Sequence, residues 1–228
     1  MRRFLLVAAL VALPSAAQPL STDRPDFTES PSAVSVGRLQ VELGATATTS
    51  GGIATAAGPE ALVRYAPVVG AELRLVLPDV TLGDGPAAAG ALGVGAKAEL
   101  STVAGASVGV IGMLGVPLAG GRVAPEALVT AGAEVGLGSL GAQASAAWPE
   151  GGMVLGATLV GARGLTDRVG AFLELAAEGR PGDPLALTLH HGYTLAVGDD
   201  AQADLHAGVG LAGDAPAAFV GVGWSVRW

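Results

Sequence analysis

Apolar and polar residues alternate with period two along most of the chain. Leu39, Val41 and Leu43 share one parity while Arg38, Gln40 and Glu42 share the other. Val69, Ala71, Leu73 and Leu75 oppose Glu72 and Arg74, and Leu92, Val94, Ala96 and Ala98 oppose Lys97 and Glu99. The same split sets Val129, Ala131, Ala133 and Val135 against Thr130 and Glu134, and Val169, Ala171, Leu173 and Leu175 against Arg168 and Glu174. Ala203, Leu205, Ala207 and Val209 oppose Asp204 and His206, and Val220, Val222, Trp224, Val226 and Trp228 oppose Ser225 and Arg227. Strict alternation places the two sets on opposite faces of a β-strand. Twelve such segments are expected, near 37–49, 58–66, 68–77, 88–100, 104–116, 125–137, 139–148, 152–163, 166–178, 184–196, 200–211 and 216–228. Gly, Pro, Asp or Ser turn signals separate them.

The longest uncharged stretch, Ser101 to Gly121, raises the alternative of a membrane helix. It holds Gly105, Gly109, Gly112, Gly115 and Pro117, and each helical Gly costs about 0.8–1.0 kcal/mol relative to Ala. Strands are the better reading there.

Alternation alone does not say which face is inside, since a soluble antiparallel barrel alternates too. Three features favour an all-β, antiparallel transmembrane barrel with the apolar face toward lipid. Charged residues make up 14% of the chain, against roughly 25–35% on a soluble surface. The polar face is itself rich in Gly, Thr and Ala, which suits a small lumen. The chain also ends on Trp228, of lipid-facing parity, like the C-terminal aromatic signal read by outer-membrane assembly machinery. Twelve is an even count, as single-chain bacterial barrels require, and most segments approach the ~9–11 residues of a tilted membrane strand. Placing both termini in the periplasm makes 50–57, 78–87, 117–124, 149–151, 179–183 and 212–215 the outer connections. Tyr65 and Trp148 are candidates for interfacial girdles.

Residues 1–17 carry Arg2 and Arg3, an apolar run from Phe4 to Leu13, and Ser15-Ala16-Ala17. This order reads as a cleaved secretory signal. Its ten apolar residues are too few for a membrane span of roughly 20. Removing two of the twelve basic residues leaves ten bases against twenty acids, a formal charge of −10, which disfavours nucleic acid as a partner. With no cysteine, disulfides, thiolate metal sites and a lipid-modified N-terminal cysteine are excluded.

Lumen parity assigns Arg38, Glu42, Arg64, Glu72, Arg74, Lys97, Glu99, Glu134, Arg168, Glu174, His190, Asp204, His206 and Arg227 to the interior, beside the apolar Ile111, Met113 and Phe172. His190 and His206 fall on neighbouring strands near Asp204. A hydrolase would add a nucleophile to such a pair and a metal site would need three or four convergent ligands. No catalytic constellation, cofactor motif or metal site is apparent, and ordinary lumen-lining polar residues are the expected reading. Gly93-Val94-Gly95 and Gly208-Val209-Gly210 precede no helix, so they read as close-packing positions on strands rather than phosphate loops.

Between signal and barrel, residues 18–36 include Thr22-Asp23-Arg24-Pro25-Asp26-Phe27-Thr28-Glu29-Ser30. The segment is too charged to face lipid. It is either a periplasmic leader or a partial plug in which Asp23, Arg24, Asp26 and Glu29 meet lumen charges, ahead of the barrel at 37–228.

This run, with Val36-Gly37-Arg38-Leu39-Gln40-Val41-Glu42-Leu43-Gly44 after it, resembles the opening of outer-membrane transporters grouped under the MetA pathway of phenol degradation. Gly164-Leu165-Thr166-Asp167-Arg168-Val169 and the ending Phe219-Val220-Gly221-Val222-Gly223-Trp224 resemble that family as well. The resemblance implies a barrel of about this strand count and passive transport of small solutes, hydrophobic or aromatic compounds included. A closed structural barrel in the outer membrane is the alternative, and an outer-membrane enzyme using His190 or His206 a distant third.

Overall fold

A computed structural model describes residues 20–103, 105–118 and 120–228. The expected signal at 1–17 lies outside the described residues. Fifteen β-segments form one antiparallel sheet closed on itself. They are β1 (Leu39–Ser50), β2 (Ile53–Gly58), β3 (Ala61–Val68), β4 (Ala71–Leu77), β5 (Val80–Leu82), β6 (Ala88–Ala89), β7 (Ala91–Val103) and β8 (Ala106–Pro117). There follow β9 (Ala124–Val135), β10 (Gly138–Ala147), β11 (Val154–Gly164), β12 (Val169–Gly179), β13 (Ala186–Ala196), β14 (Ala201–Ala212) and β15 (Ala218–Arg227).

The fifteen segments fill twelve positions around the ring. β1 pairs with β3 through Leu39–Glu42 and with β2 through Thr46–Ser50, so β2 and β3 are one wall strand interrupted at Pro59-Glu60. β5 likewise extends β4 beyond Pro78, and β6 extends β7 across Gly90. Proline has no N–H for the ladder, which explains the first two interruptions. Residues 53–57 and 80–82, expected as outer connection, are therefore wall. β1 closes the ring on β15 from Gln40↔Arg227 to Thr49↔Ala218. Trp228 lies one residue past β15 but continues the ladder, exchanging backbone hydrogen bonds of 2.9 and 3.2 Å with Leu39.

Residues 101–121 are strand rather than membrane helix wherever they are described, apart from the turn at Gly105 and the end of the hairpin loop. One end of the barrel carries short turns, such as Val69-Gly70, where Gly70 takes a φ of 72° that a side chain would resist. The break implied between the expected strands 58–66 and 68–77 falls here instead, because β3 accommodates Pro67 through a register shift between Tyr65 and Val68. The other end carries the longer connections, including 118–123, 148–153 and 180–185.

Parity sorts the side chains as the alternation requires. Leu73, Leu173 and Val222 are 55%, 57% and 53% exposed on the outer wall. Gln40, Glu42, Arg64, Glu72, Lys97, Glu174 and His190 are fully enclosed. An aliphatic band of this extent is a lipid-facing surface, so the protein is inverted relative to a soluble domain: its polar groups form the core. Tyr65 and Trp148 both project outward, about half exposed.

Candidate functional site

The lumen is crossed by residues 20–36. Ser21 and Ser30 bond through their hydroxyls at 2.7 Å, and the Ser30 N–H donates to Asp23 Oδ1 at 2.9 Å, so 21–30 forms a loop closed at its neck. Seven wall groups hold its backbone, Glu42 and Glu174 among them. Arg64 and Gln40 each donate to the Ser21 carbonyl at 2.9 Å, Lys97 donates to the Ser30 carbonyl at 2.9 Å, Thr130 donates to the Glu29 carbonyl, and Gln143 accepts the Glu29 N–H at 2.9 Å. The return limb is caught by Glu99, which accepts the Ala33 N–H at 3.2 Å, and by Glu72, which accepts the Val34 N–H at 3.0 Å.

Glycines on the wall make room. A Cβ on Gly109 would stand 2.7 Å from the Pro31 carbonyl oxygen, and one on Gly223 would stand 2.5 Å from both Arg24 Nε and Asp204. Gly93 and Gly210 face Val76 and Pro216 just as closely, as the close-packing reading of the two Gly-Val-Gly runs requires.

Adjacent strands β1, β3, β4 and β7 bring the charges together. Alternation points Glu42, Arg64, Glu72, Arg74 and Lys97 inward at neighbouring heights. Arg64 binds Glu72 through two nitrogens at 2.9 and 3.0 Å and Glu42 at 2.8 Å. Arg74 reaches Glu72 at 2.8 Å, Asp23 at 2.6 Å and Glu29 at 2.7 Å. Lys97 sits 3.0 Å from both Asp23 oxygens. The Asp23 carboxylate thus meets three cations, with Arg64 at 3.3 Å, while its N–H donates to Glu42. Charges this enclosed are stable only because each finds opposite charge and hydrogen bonds.

A second cluster forms where β12, β13 and β14 adjoin. Glu174 Oε2 accepts from His190 Nδ1 at 2.9 Å, His190 Nε2 meets His206 Nδ1 at 3.0 Å, and His206 Nε2 meets an Arg24 nitrogen at 3.4 Å. Arginine only donates and a carboxylate only accepts. Two neutral imidazoles, each protonated on Nδ1, therefore satisfy the whole chain in one direction. Glu174 also accepts the Phe27 N–H at 2.8 Å and the Thr28 hydroxyl at 2.6 Å. Arg24 continues to Glu60 at 2.7 Å and Asp204 at 3.6 Å. Through Arg24, Phe27 and Thr28 this cluster forms a latch on the segment.

Among the described residues, three hollows of note lie around the segment. One of about 750 Å³ opens at the long-loop end, lined by Phe27, Phe219, Met113 and Leu128 together with Glu126 and Glu178. One of about 790 Å³ opens at the short-turn end against Glu99, Glu134 and Arg227. A smaller one of about 370 Å³ lies under Pro25 and Phe172. Asp26 lines all three, and Glu29 lines the two larger.

Most residues of lumen parity reach the interior, Ile111, Met113 and Phe172 included, with Glu99 and Glu134 at the inner mouth. Arg38 and Arg168 do not. Arg38 precedes β1 and pairs with exposed Asp200 at 2.9 Å, and Arg168 is exposed in the turn before β12. Parity loses its meaning once the chain leaves the wall. Phe219, Thr158 and Gln143 were missed as lining residues although alternation from Val220, Leu159 and Ala142 would have found them. Glu60 shares the parity of Arg64 within the expected strand 58–66, so alternation reaches it as well.

No family model matches the chain, and no curated relative does. Solved structures do. The COG4313 outer membrane channel from Pseudomonas putida F1 superposes with a TM-score of 0.68 at 11% identity, covering 87% of this chain and 98% of that one. The NanC porin has a TM-score of 0.60 at 9% identity over 82% of this chain and 98% of its own. The KdgM porin in complex with disordered oligogalacturonate has a TM-score of 0.60 at 10% identity, covering 83% and 98%. The chain therefore has the fold of the twelve-stranded outer-membrane β-barrels.

Proposed function

We propose that the protein is a passive channel of the outer membrane for small solutes, narrowed by residues 20–36 acting as a fixed partial plug. The observation that carries this is the pair of large hollows on opposite sides of the segment, both reaching Asp26 and Glu29. Phe27, Phe219, Met113 and Leu128 on the long-loop side favour solutes with an apolar or aromatic body. Nothing in this reading calls for a cofactor, a metal or catalysis. Export would use residues 1–17, the apolar wall would contact outer-membrane lipid, and the terminal strand with Trp228 would be read by the assembly machinery.

A closed structural barrel is the second reading, favoured by the Asp23 cluster, which fills one side of the lumen with paired charges. Conductance across planar bilayers separates the two. The folded full-length chain is expected to pass a small steady current, and a variant lacking residues 20–34 a current several-fold larger. Absence of current from both proteins would leave the structural barrel. A current from both that is unchanged by the deletion would remove the plug.

A further inference from the structure

The charges along this passage are unevenly neutralised. Every lumen cation is engaged: Arg64, Arg74 and Lys97 by Asp23 and its neighbours, Arg24 by Glu60 and Asp204, Arg227 by Asp200. The acids are in excess. Asp26, Glu126 and Glu178 line the hollows and form no ion pair among the described residues. Asp26 differs from the other two in its place, on the segment itself and in the lining of all three hollows. A solute moving from one end to the other along these hollows passes its carboxyl group. Burial first, and then Glu174, Asp23 and Glu42, all of its own sign, push the Asp26 carboxyl well above the usual carboxylate range, so its charge is present on the alkaline side.

Resting on the channel reading above, we infer that the passage selects for cations and that Asp26 is the residue that sets this selectivity. A low-dielectric wall with uncompensated fixed charge of one sign concentrates counter-ions and repels co-ions. Here the guanidiniums and the ammonium that would attract anions are occupied, so the field left in the hollows is that of the free carboxylates. Phe27 and Phe219, with ring centroids 5.8 Å apart, border the hollow that Glu126 and Glu178 also face. Aromatic faces beside carboxylates accommodate an organic ammonium, the carbon body on the rings and the charge toward the acids. The solute class is therefore small inorganic cations and organic ammonium ions, with acidic solutes turned away.

The test is the reversal potential of the full-length protein under a potassium chloride gradient, in alkaline buffer so that carboxyl groups are ionised, and again with benzyltrimethylammonium chloride, whose charge does not depend on pH. The wild type is expected to reverse on the cation side with both salts. Asp26→Asn should lower the cation-to-anion permeability ratio by about threefold or more while leaving the current itself in place. Glu126→Gln, farther from the junction, should lower it less. A wild type that prefers chloride overturns the inference while leaving the channel standing. So does an Asp26→Asn protein with an unaltered ratio. A chain that passes no current with or without residues 20–34 overturns the channel and the selectivity together. Asp26 lies on a loop, and among the described residues its carboxyl makes no hydrogen bond or ion pair to the wall, so the variant is expected to retain the heat-resistant gel mobility of a folded barrel, which is checked alongside.

Discussion

The two halves of the barrel wall divide the work of holding and leaving room. On β1, β3, β4 and β7 the inward positions are long and charged, Glu42, Arg64, Glu72, Arg74 and Lys97, and they grip the segment through Asp23 and Glu29. On β8 to β11 most inward positions are uncharged, Gly109, Ile111, Met113, Leu128, Thr130, Gly132, Gly141, Gln143, Ser145, Gly156 and Thr158, with the charged Glu126 and Glu134 toward the two mouths, and the two large hollows lie against them. A barrel lumen of this size has room for charged side chains from every strand only if they fill it. Concentrating them on one side anchors the segment there and keeps the opposite side clear. Restraint and passage are thus separable by mutation.

The largest effect is expected at Asp23. Its carboxylate is shared by Arg64, Arg74 and Lys97, all enclosed, and Asp23→Ala leaves those cations short of a partner. Breaking a buried charge pair costs roughly 3–5 kcal/mol. The loop should leave the charged wall, with conductance rising toward that of the protein lacking residues 20–34 and with a lower unfolding temperature on heat-modifiability gels. Wild-type conductance in Asp23→Ala would mean that the charged wall does not restrain the segment, and the contrast between the halves would fail.

A smaller effect should come from the half lined mainly by small and uncharged residues. Gly109→Leu forces a side chain against the Pro31 backbone, where even a Cβ would stand 2.7 Å from the carbonyl oxygen. Overpacking of this kind costs about 1–3 kcal/mol, and the cheapest relief is a shift of the segment's return limb. Conductance should change less than with Asp23→Ala, because the charged grip is untouched. A change as large as that of Asp23→Ala would show that the small-residue wall also restrains, and would blur the division proposed here.

The barrel itself was legible because one face meets lipid. A one-residue slip would put Glu72 and Arg74 outside and Leu73 inside, so the charges fix register and facing together. What alternation does not encode is height and partner. It marks Arg38 and Arg168 as polar-face residues, yet both lie past the strand ends, where no wall encloses them. Nor did it distinguish a leader from a lumen segment at Asp23-Arg24-Pro25-Asp26. The residues that decide this, Arg64, Arg74 and Lys97, are 41, 51 and 74 positions away from Asp23. The interruptions at Pro59 and Pro78 escaped because each strand resumes on the same wall position beyond its break. Phe219 shares the parity of Ser225, and Glu60 that of Arg64, so alternation marks both as inward although neither carries its partner in the local sequence.

The mildest prediction concerns the rim, where the charged half ends. Asp200 accepts from Arg227 Nε at 2.9 Å and from Arg38 at 2.9 Å. The hydrogen bond from Arg227, followed by that from Arg38, holds its carboxyl below the usual range. A carboxyl depressed by folding contributes stability that is present above its ordinary pKa of about 3.9 and is lost as pH falls through the lower folded value. Asp200→Asn should therefore unfold at a slightly lower temperature than wild type near neutral pH, and the two should converge in acid below that folded value. Added salt should narrow the neutral-pH difference, since the pair is open to solvent and screened. If the difference instead survives both acid and salt, Asp200 acts through packing, and the rim belongs with the enclosed cluster around Arg64 rather than with the surface.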